Sequence, residues 1–165
     1  MNTIKHSREI QAPVDFLFDY SQRNSCRLDW DPFVTQVDLH DSHDLPEEGT
    51  EVTVHTWNRM EMTCRYVQFR RPDCIAIKML KDPKALKTFG GTWRFEAVSA
   101  DRTATTFTYS FTLLHWLRLL EPFAKLYFRW DMWRRLRALQ RGAERAFLAF
   151  TASGVTPWIA APVHT

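Results

Sequence analysis

The pattern of apolar and polar positions divides the chain into a strand-rich part and one long C-terminal helix. Residues 50–114 alternate in the manner of consecutive strands, and the clearest alternation places apolar side chains on one face and hydroxyl side chains on the other. Such a pattern is typical of a sheet that buries only one face. The apolar members of that strand are Phe107, Tyr109, Phe111 and Leu113.

After Leu114 the apolar residues recur at helical spacing, and we predict one long helix over residues 116–150. Pro122 either kinks this helix or marks its true start after a short lead-in. Near the N-terminus, Pro13 predicts the start of a first short helix, and Asp31-Pro32 predicts the end of a second. The predicted strands span residues 3–10, 34–40, 50–57, 60–69, 74–80, 87–98 and 103–114.

These elements predict an α+β fold in which a curved antiparallel sheet of about seven strands wraps around the long helix. Gly90-Gly91 predicts a sharp bend or a bulge that helps to curl the sheet. We predict a single domain over residues 1–150 and an irregular tail over residues 151–165, and we expect Asp82-Pro83 to lie in a loop. A curved sheet around one helix leaves a centre that only side chains or an apolar ligand can fill.

Composition narrows the function further. Aromatic residues make up 14% of the chain, with 7 Trp and 12 Phe, and large rings either complete a core or wall a pocket. The net charge of +3 is too small to indicate nucleic-acid binding. The 3 cysteines are widely spaced, which argues against a disulfide framework and favours reduced thiols in a cytoplasmic protein. No apolar run approaches the roughly 18 residues of a membrane span.

Four segments resemble a known family: Ile10–Val14, Phe16–Tyr20, Trp30–Pro32 and Gly90–Phe95. Together with the order of one strand, two short helices, six strands and a long helix, they resemble the START-like and Bet v 1-like superfamily over residues 3–150. The resemblance is to its polyketide cyclase/dehydrase-like branch, and it implies a helix-grip fold. It does not choose between aromatase/cyclases, hydrolases, ubiquinone-binding proteins and lipid carriers, which share that fold.

Three polar side chains are candidates for chemistry. Histidine is the side chain most often used as a general acid or base, and His55 is predicted to move a proton, whereas Tyr66 and Tyr109 are predicted to donate hydrogen bonds to ketone or enolate oxygens. The alternation of the strand leaves His55 either on the inner face or on the convex, solvated face, because Val52 and Val54 compete with it for the inner face.

Aromatic side chains are predicted to form the walls of the ligand site. The histidines have no metal-ligand spacing, and no nucleotide-binding or nucleophile motif is present, so we expect neither a metal nor a cofactor. The predicted ligand-binding residues are Trp30, Trp57, Trp93, Phe95, Phe107, Phe111, Phe123, Tyr127 and Trp130.

The front of the long helix has more aromatic and aliphatic residues than one buried face can hold. Several alternatives stay open for the excess: it covers the cavity entrance, forms a homodimer contact, or contacts a membrane surface, although a solvated basic face is the commoner outcome. We therefore predict a protein that binds a hydrophobic or aromatic small molecule, with polyketide cyclase, aromatase or dehydrase chemistry implied by the resemblance. The alternatives are a non-catalytic lipid or quinone carrier, and a regulatory or assembly partner that docks through this helix.

Overall fold

The computed structural model describes residues 1–39, 43–80 and 85–156. The predicted loop at Asp82-Pro83 and residues 157–165 of the predicted tail lie outside the described residues. In chain order the elements are β1 (Asn2–Ile10), α1 (Val14–Gln22), α2 (Asn24–Trp30), β2 (Val34–Leu39), β3 (Glu51–Thr56), β4 (Glu61–Arg70), β5 (Cys74–Met79), β6 (Leu86–Ser99), β7 (Arg102–Leu113), a 3-10 helix (His115–Leu120) and α3 (Glu121–Ser153).

Over the described residues, seven strands form one sheet in the order β1-β7-β6-β5-β4-β3-β2, and every neighbouring pair is antiparallel. The sheet is open and curved, and the long C-terminal helix packs against it. Consecutive strands from β2 to β7 are neighbours, while β1 joins the far edge beside β7. This arrangement confirms the predicted α+β helix-grip fold.

The long helical segment begins as one of the two predicted alternatives has it, with Pro122 at the true start after a short lead-in, and it ends later than predicted. Residues 115–120 form the 3-10 helix, and α3 starts at Glu121 with Pro122 in its first turn, where a missing N–H leaves no hydrogen bond unmade. The helix continues to Ser153, so residues 151–153 are helical rather than irregular. It ends at Gly154, whose φ of 70° suits glycine and whose N–H bonds the Phe150 carbonyl at 2.8 Å.

The core lies between the concave face of the sheet and α3. Side chains of β7 alternate between buried and half-buried positions as the sequence predicts, and the Trp93 and Phe107 rings stack with centroids 3.7 Å apart. From α3, Met132, Leu136 and Leu139 are fully buried against these rings and their neighbours. The packed rings therefore occupy much of the space that a ligand was expected to fill.

The strand pairing is regular through Gly90 and Gly91. Gly90 pairs with Ser110 and Gly91 with Tyr109 without a shift of register, so a bulge at this position is wrong. A Cβ atom on Gly90 would lie 3.2 Å from the carbonyl oxygen of Ile77 on β5. The backbone of β5 approaches closely here, so a larger residue would require it to move by a few tenths of an ångström.

Candidate functional site

A cavity of about 400 Å³ lies between the front of α3, the 3-10 helix and the adjoining ends of β4, β6 and β7. Its size falls within the roughly 300–1,000 Å³ that is usual for small-molecule sites. We call it the main cavity. Its walls are mostly aliphatic and aromatic, and they include Met62, Leu86, Phe89, Leu117, Ala124 and Phe128. Polar side chains reach it from Asn58, Tyr109, Tyr127 and Asp131.

A second, much smaller space lies deeper against the sheet. It has a volume of about 50 Å³, enough for a few water molecules, and it is lined by side chains of β2 to β5 together with Arg27 and Arg135. We call it the inner cavity. Phe33, Met62, Phe89 and Tyr109 line both spaces.

Tyr109 therefore stands at the boundary between the two cavities. Its side chain is buried, its hydroxyl accepts a hydrogen bond from Arg135 Nη1, and the same hydroxyl donates to Asp131 Oδ2 at 3.4 Å. Burial raises the pKa of the Tyr109 phenol, so the hydroxyl stays protonated at neutral pH. A neutral phenol polarised by a guanidinium is a good hydrogen-bond donor to a ligand oxygen.

Arg135 is held in place by a buried ion pair. Its Nε and Nη2 atoms donate to Asp31 Oδ1 at 3.0 Å and to Asp31 Oδ2 at 2.6 Å, and both side chains are almost fully buried. Such two-point contacts fix both the position and the plane of the guanidinium. The guanidinium carbon also lies 5.0 Å from the ring centroids of Phe33 and Phe107, in cation–π contact.

Asp31 receives further support. Arg27 Nε donates to its Oδ2 at 2.8 Å, and the backbone N–H of Phe33 donates to its Oδ1 at 3.1 Å. Burial alone would raise the pKa of Asp31, but the charges of Arg135 and Arg27 outweigh it, and the pKa is held below its usual value. Asp31 is therefore an ionised anchor for Arg135.

Asp131 has a pKa that is shifted in the opposite direction to that of Asp31. It is 1% exposed, lines the main cavity, and accepts from Arg134 Nη2 at 3.2 Å. Burial raises its pKa, and the nearby Arg135 only partly offsets this effect. A buried carboxyl group with a raised pKa beside a cavity is a candidate for giving or taking a proton.

The three predicted catalytic residues lie in three different places. Tyr109 lines both cavities, and Tyr66 is buried beside the inner cavity, where burial raises its pKa. His55 lies outside both, because Val52 and Val54 take the inner face of β3. Its Nε2 is 2.7 Å from Asp38 Oδ2 on the opposite, solvated face. His55 is therefore not placed to move a proton in either cavity.

Most of the predicted wall aromatics lie in the packed core instead. The Trp93 and Phe107 rings, for example, stack on each other and are both buried. Trp30 on α2 packs edge-on against Trp93 on the sheet, with ring centroids 6.0 Å apart. The residues that are buried and line neither cavity are Trp30, Trp93, Phe95, Phe107 and Phe111.

The remaining four predicted wall residues are at or near the front of α3. Phe123 and Tyr127 do line the main cavity. Trp57 and Trp130 do not, and both are about half exposed, with the Arg134 guanidinium 5.5 Å from one ring centroid and 4.7 Å from the other. These two rings hold Arg134, which in turn contacts Asp131.

Sequence reasoning missed Asp131 and Arg135, and it read Asp31 only as the residue that ends α2. A signal for Arg135 was present, because it falls three residues after Met132 and four before Leu139, inside the buried stripe. Asp131 lies four residues before Arg135, on the same side of the helix. Within the described residues, no three His, Cys, Asp or Glu side chains come close enough to hold a metal ion.

Comparison with known proteins identifies the family. A sequence model of the family described as "Polyketide cyclase / dehydrase and lipid transport" matches residues 1–144. The chain belongs to this family. No curated protein matches the sequence.

Solved structures share the fold at low sequence identity. The Zhui aromatase/cyclase from Streptomyces sp. R1128 is 17% identical, with a TM-score of 0.72 over 94% of this chain and 98% of that one. A START superfamily protein from Mycobacterium smegmatis is 9% identical, with a TM-score of 0.68 over 90% of this chain and 98% of that one. Norcoclaurine synthase from Thalictrum flavum, in complex with dopamine and hydroxybenzaldehyde, is 11% identical, with a TM-score of 0.62 over 85% of this chain and 84% of that one.

Among the described residues, no helix is both long and apolar enough to cross a bilayer.

Proposed function

We propose that this protein binds a hydrophobic or aromatic small molecule in the main cavity and performs cyclase-type chemistry on it. The observation that carries the proposal is an apolar cavity of about 400 Å³ with Tyr109 and Asp131 in its wall. An apolar body would be held by the walls, and an oxygen of the ligand would bond the polar groups. Membership of the family, and the aromatase/cyclase with the same fold, support this substrate class.

The proposed reaction is an intramolecular aldol closure of a chain with several ketones. The Asp131 carboxylate takes a proton from the carbon between two ketones. As it does so, the Tyr109 hydroxyl gives up its 3.4 Å hydrogen bond to Asp131 Oδ2 and donates to the enolate oxygen that forms. The enolate carbon then attacks a second ketone of the same chain, and the new alkoxide takes the proton back from Asp131. The walls hold the chain in one reactive conformer, an effect worth about 7–11 kcal/mol when the alignment is good.

In this mechanism Arg135 polarises the Tyr109 hydroxyl but does not touch the substrate, because it lines the inner cavity and not the main cavity. Asp131 takes the role that the sequence suggested for His55. Tyr66 has no part in the step, since it lines the inner cavity, which is too small for a ring.

A cavity-filling variant tests the binding site. Ala124 lines the main cavity, so Ala124→Trp would fill part of it, whereas Ala149 is exposed on the same helix and Ala149→Trp is the matched control. We expect isothermal titration with a polycyclic aromatic phenol to show binding to the wild type and to Ala149→Trp, and at least roughly tenfold weaker binding to Ala124→Trp. Equal binding to all three proteins would place the ligand elsewhere.

Conservative variants test the chemistry. Tyr109→Phe and Asp131→Asn keep the shape of the cavity, so we expect them to bind the same phenol while turnover of a poly-β-ketone thioester falls by about 10²-fold or more. Chromatography of the products against the spontaneous reaction measures this. Unchanged turnover in both variants would refute the proposed roles.

A non-catalytic carrier of a lipid or quinone is the second candidate. It is favoured by the scarcity of polar side chains in the walls and by the exposed apolar residues Leu120 and Phe123 at the edge of the cavity. Native mass spectrometry followed by organic extraction separates the two functions. A co-purified lipid or quinone, together with no turnover of the thioester by the wild type, would establish the carrier. The assembly alternative required a small or filled cavity, which the volume of the main cavity disfavours.

A further inference from the structure

A continuous apolar stripe follows the exposed side of the 3-10 helix and the front of α3. Its members recur at alternating spacings of three and four residues, which keeps them on one side of a helix. We call it the exposed stripe, and it consists of Trp116, Leu119, Phe123, Leu126, Trp130 and Trp133. These side chains are between 38% and 90% exposed. Six large apolar side chains in one exposed row are far more than the scattered ones found on ordinary surfaces.

The charges beside the exposed stripe are almost all positive. Arg118, Lys125, Arg129 and Arg137 are exposed along it. Residues 115–137 include two acidic residues. Glu121 pairs with Lys125 at 3.2 Å and offsets that one charge, and Asp131 is buried, so Arg118, Arg129 and Arg137 leave the surface beside the stripe positive.

We propose that the exposed stripe docks the protein on the surface of an anionic membrane. Tryptophan and leucine side chains of an amphipathic helix enter the boundary between headgroups and acyl chains, while arginine and lysine contact anionic headgroups. A surface helix of this kind lies in the plane of the membrane and does not cross it.

The same charges disfavour a second copy of this chain as the occupant. Pairing two exposed stripes would place the excess positive charge of both copies along the same seam, and like charges beside an apolar seam are destabilising. An anionic surface instead neutralises these charges.

The main cavity opens beside the exposed stripe. Phe123 belongs to the stripe and also lines the cavity, and Leu120 next to it lines the cavity while remaining 51% exposed. A docked protein would therefore exchange an apolar ligand with the bilayer without moving it through water. This route rests on the proposed function, whereas docking itself does not.

Vesicle flotation tests the docking. We expect the protein to float with vesicles of phosphatidylcholine and phosphatidylglycerol at low salt, and to bind vesicles of phosphatidylcholine alone far more weakly. Because one basic residue near an anionic surface accounts for about a fivefold change, Lys125→Gln/Arg129→Gln should weaken binding about twentyfold.

An apolar variant and its control complete the test. Leu119 and Leu126 belong to the stripe but do not line the cavity, and Leu119→Ser/Leu126→Ser should weaken binding by at least roughly tenfold. Leu148 is similarly exposed on the rear of the same helix, so Leu148→Ser should bind like the wild type. Circular dichroism and thermal unfolding should match the wild type for all these surface variants.

Three results would overturn the inference: no flotation of the wild type with anionic vesicles, undiminished flotation of Leu119→Ser/Leu126→Ser, or a wild-type dimer in sedimentation that the same variant dissociates. Ala124→Trp separates this inference from the proposed function. It should float like the wild type even if no ligand ever binds the main cavity.

Discussion

The buried pair of Asp31 and Arg135 provides a sharp test of how the core tolerates charge. Asp31→Asn keeps the shape of the side chain but removes the negative charge that Arg135 and Arg27 contact. Asp131→Asn makes the same chemical change at a second buried carboxyl group that lies near the same guanidinium. The two positions differ in the direction of their pKa shifts, and the two variants should therefore differ in stability.

The magnitude follows from burial and pairing. The side chain of Asp31 is 0% exposed and that of Arg135 is 5% exposed, so Asp31→Asn leaves a cation in the core without its main counter-ion. Breaking such a pair costs about 3–5 kcal/mol of the free energy of unfolding. For a chain of this size, 3 kcal/mol corresponds to a fall in Tm of roughly 6–12 °C.

Asp131→Asn should have a much smaller effect. Burial raises the pKa of Asp131, which means that the fold disfavours its charge, and asparagine removes that charge while keeping an acceptor for Arg134. We expect the free energy of unfolding to change by less than about 1 kcal/mol, with an increase in stability as readily as a decrease.

Urea unfolding at neutral pH, followed by circular dichroism, measures both free energies. Thermal unfolding gives the two Tm values independently. If Asp31→Asn stays within about 1 kcal/mol of the wild type, or if Asp131→Asn costs more than Asp31→Asn, the assignment of Asp31 as the ionised anchor is refuted.

Two further predictions concern the loss of stability at low pH and the packing of α3. The pKa of Asp31 is lowered in the folded state, so ionised Asp31 stabilises the fold at pH values above its unfolded pKa of about 4. This stabilisation is lost as the pH falls through the folded pKa. Urea titrations below pH ~5 should therefore show a smaller loss of unfolding free energy in Asp31→Asn than in the wild type. Gly142→Ala should destabilise by about 1–3 kcal/mol despite the better helix propensity of alanine, because its Cβ would lie 2.8 Å from the Tyr20 hydroxyl oxygen and 3.0 Å from Trp30 Cβ. Unfolding of Gly142→Ala at or above the wild-type stability would contradict that contact.

Much of the fold was predictable because it rests on local periodicity. The alternation along β7, the turn residues between strands and the helical period after Leu114 each constrain a short segment, and together they left few architectures open. The sequence left two alternatives for Pro122, and the structure has it in the first turn of α3. The end of α3 differed from the prediction because the left-handed Gly154 sets where the helix stops.

The candidate site was predictable only in part. Tyr109, Phe123 and Tyr127 line the main cavity as expected from their faces. Strand alternation alone could not decide which face of β3 His55 lies on. Val52 and Val54 take the inner face only when β3 pairs with β2 and β4 in the sheet. It also could not show that Trp93 and Phe107 would stack on each other and close the space between them.

By itself the sequence determined the class of the fold, the family and the apolar character of the interior, since these depend on periodicity and residue type. Only the tertiary structure decided which aromatic residues pack together and which leave a cavity. It also decided the polar centre, because Asp31, Tyr109 and Arg135 are far apart in the chain and meet only when α2, β7 and α3 pack. Long-range pairing of charges depends on distance and burial, which no local pattern records. The exposed stripe depends on both. Its spacing can be read from the sequence, but only the packing of α3 shows that this side of the helix stays exposed.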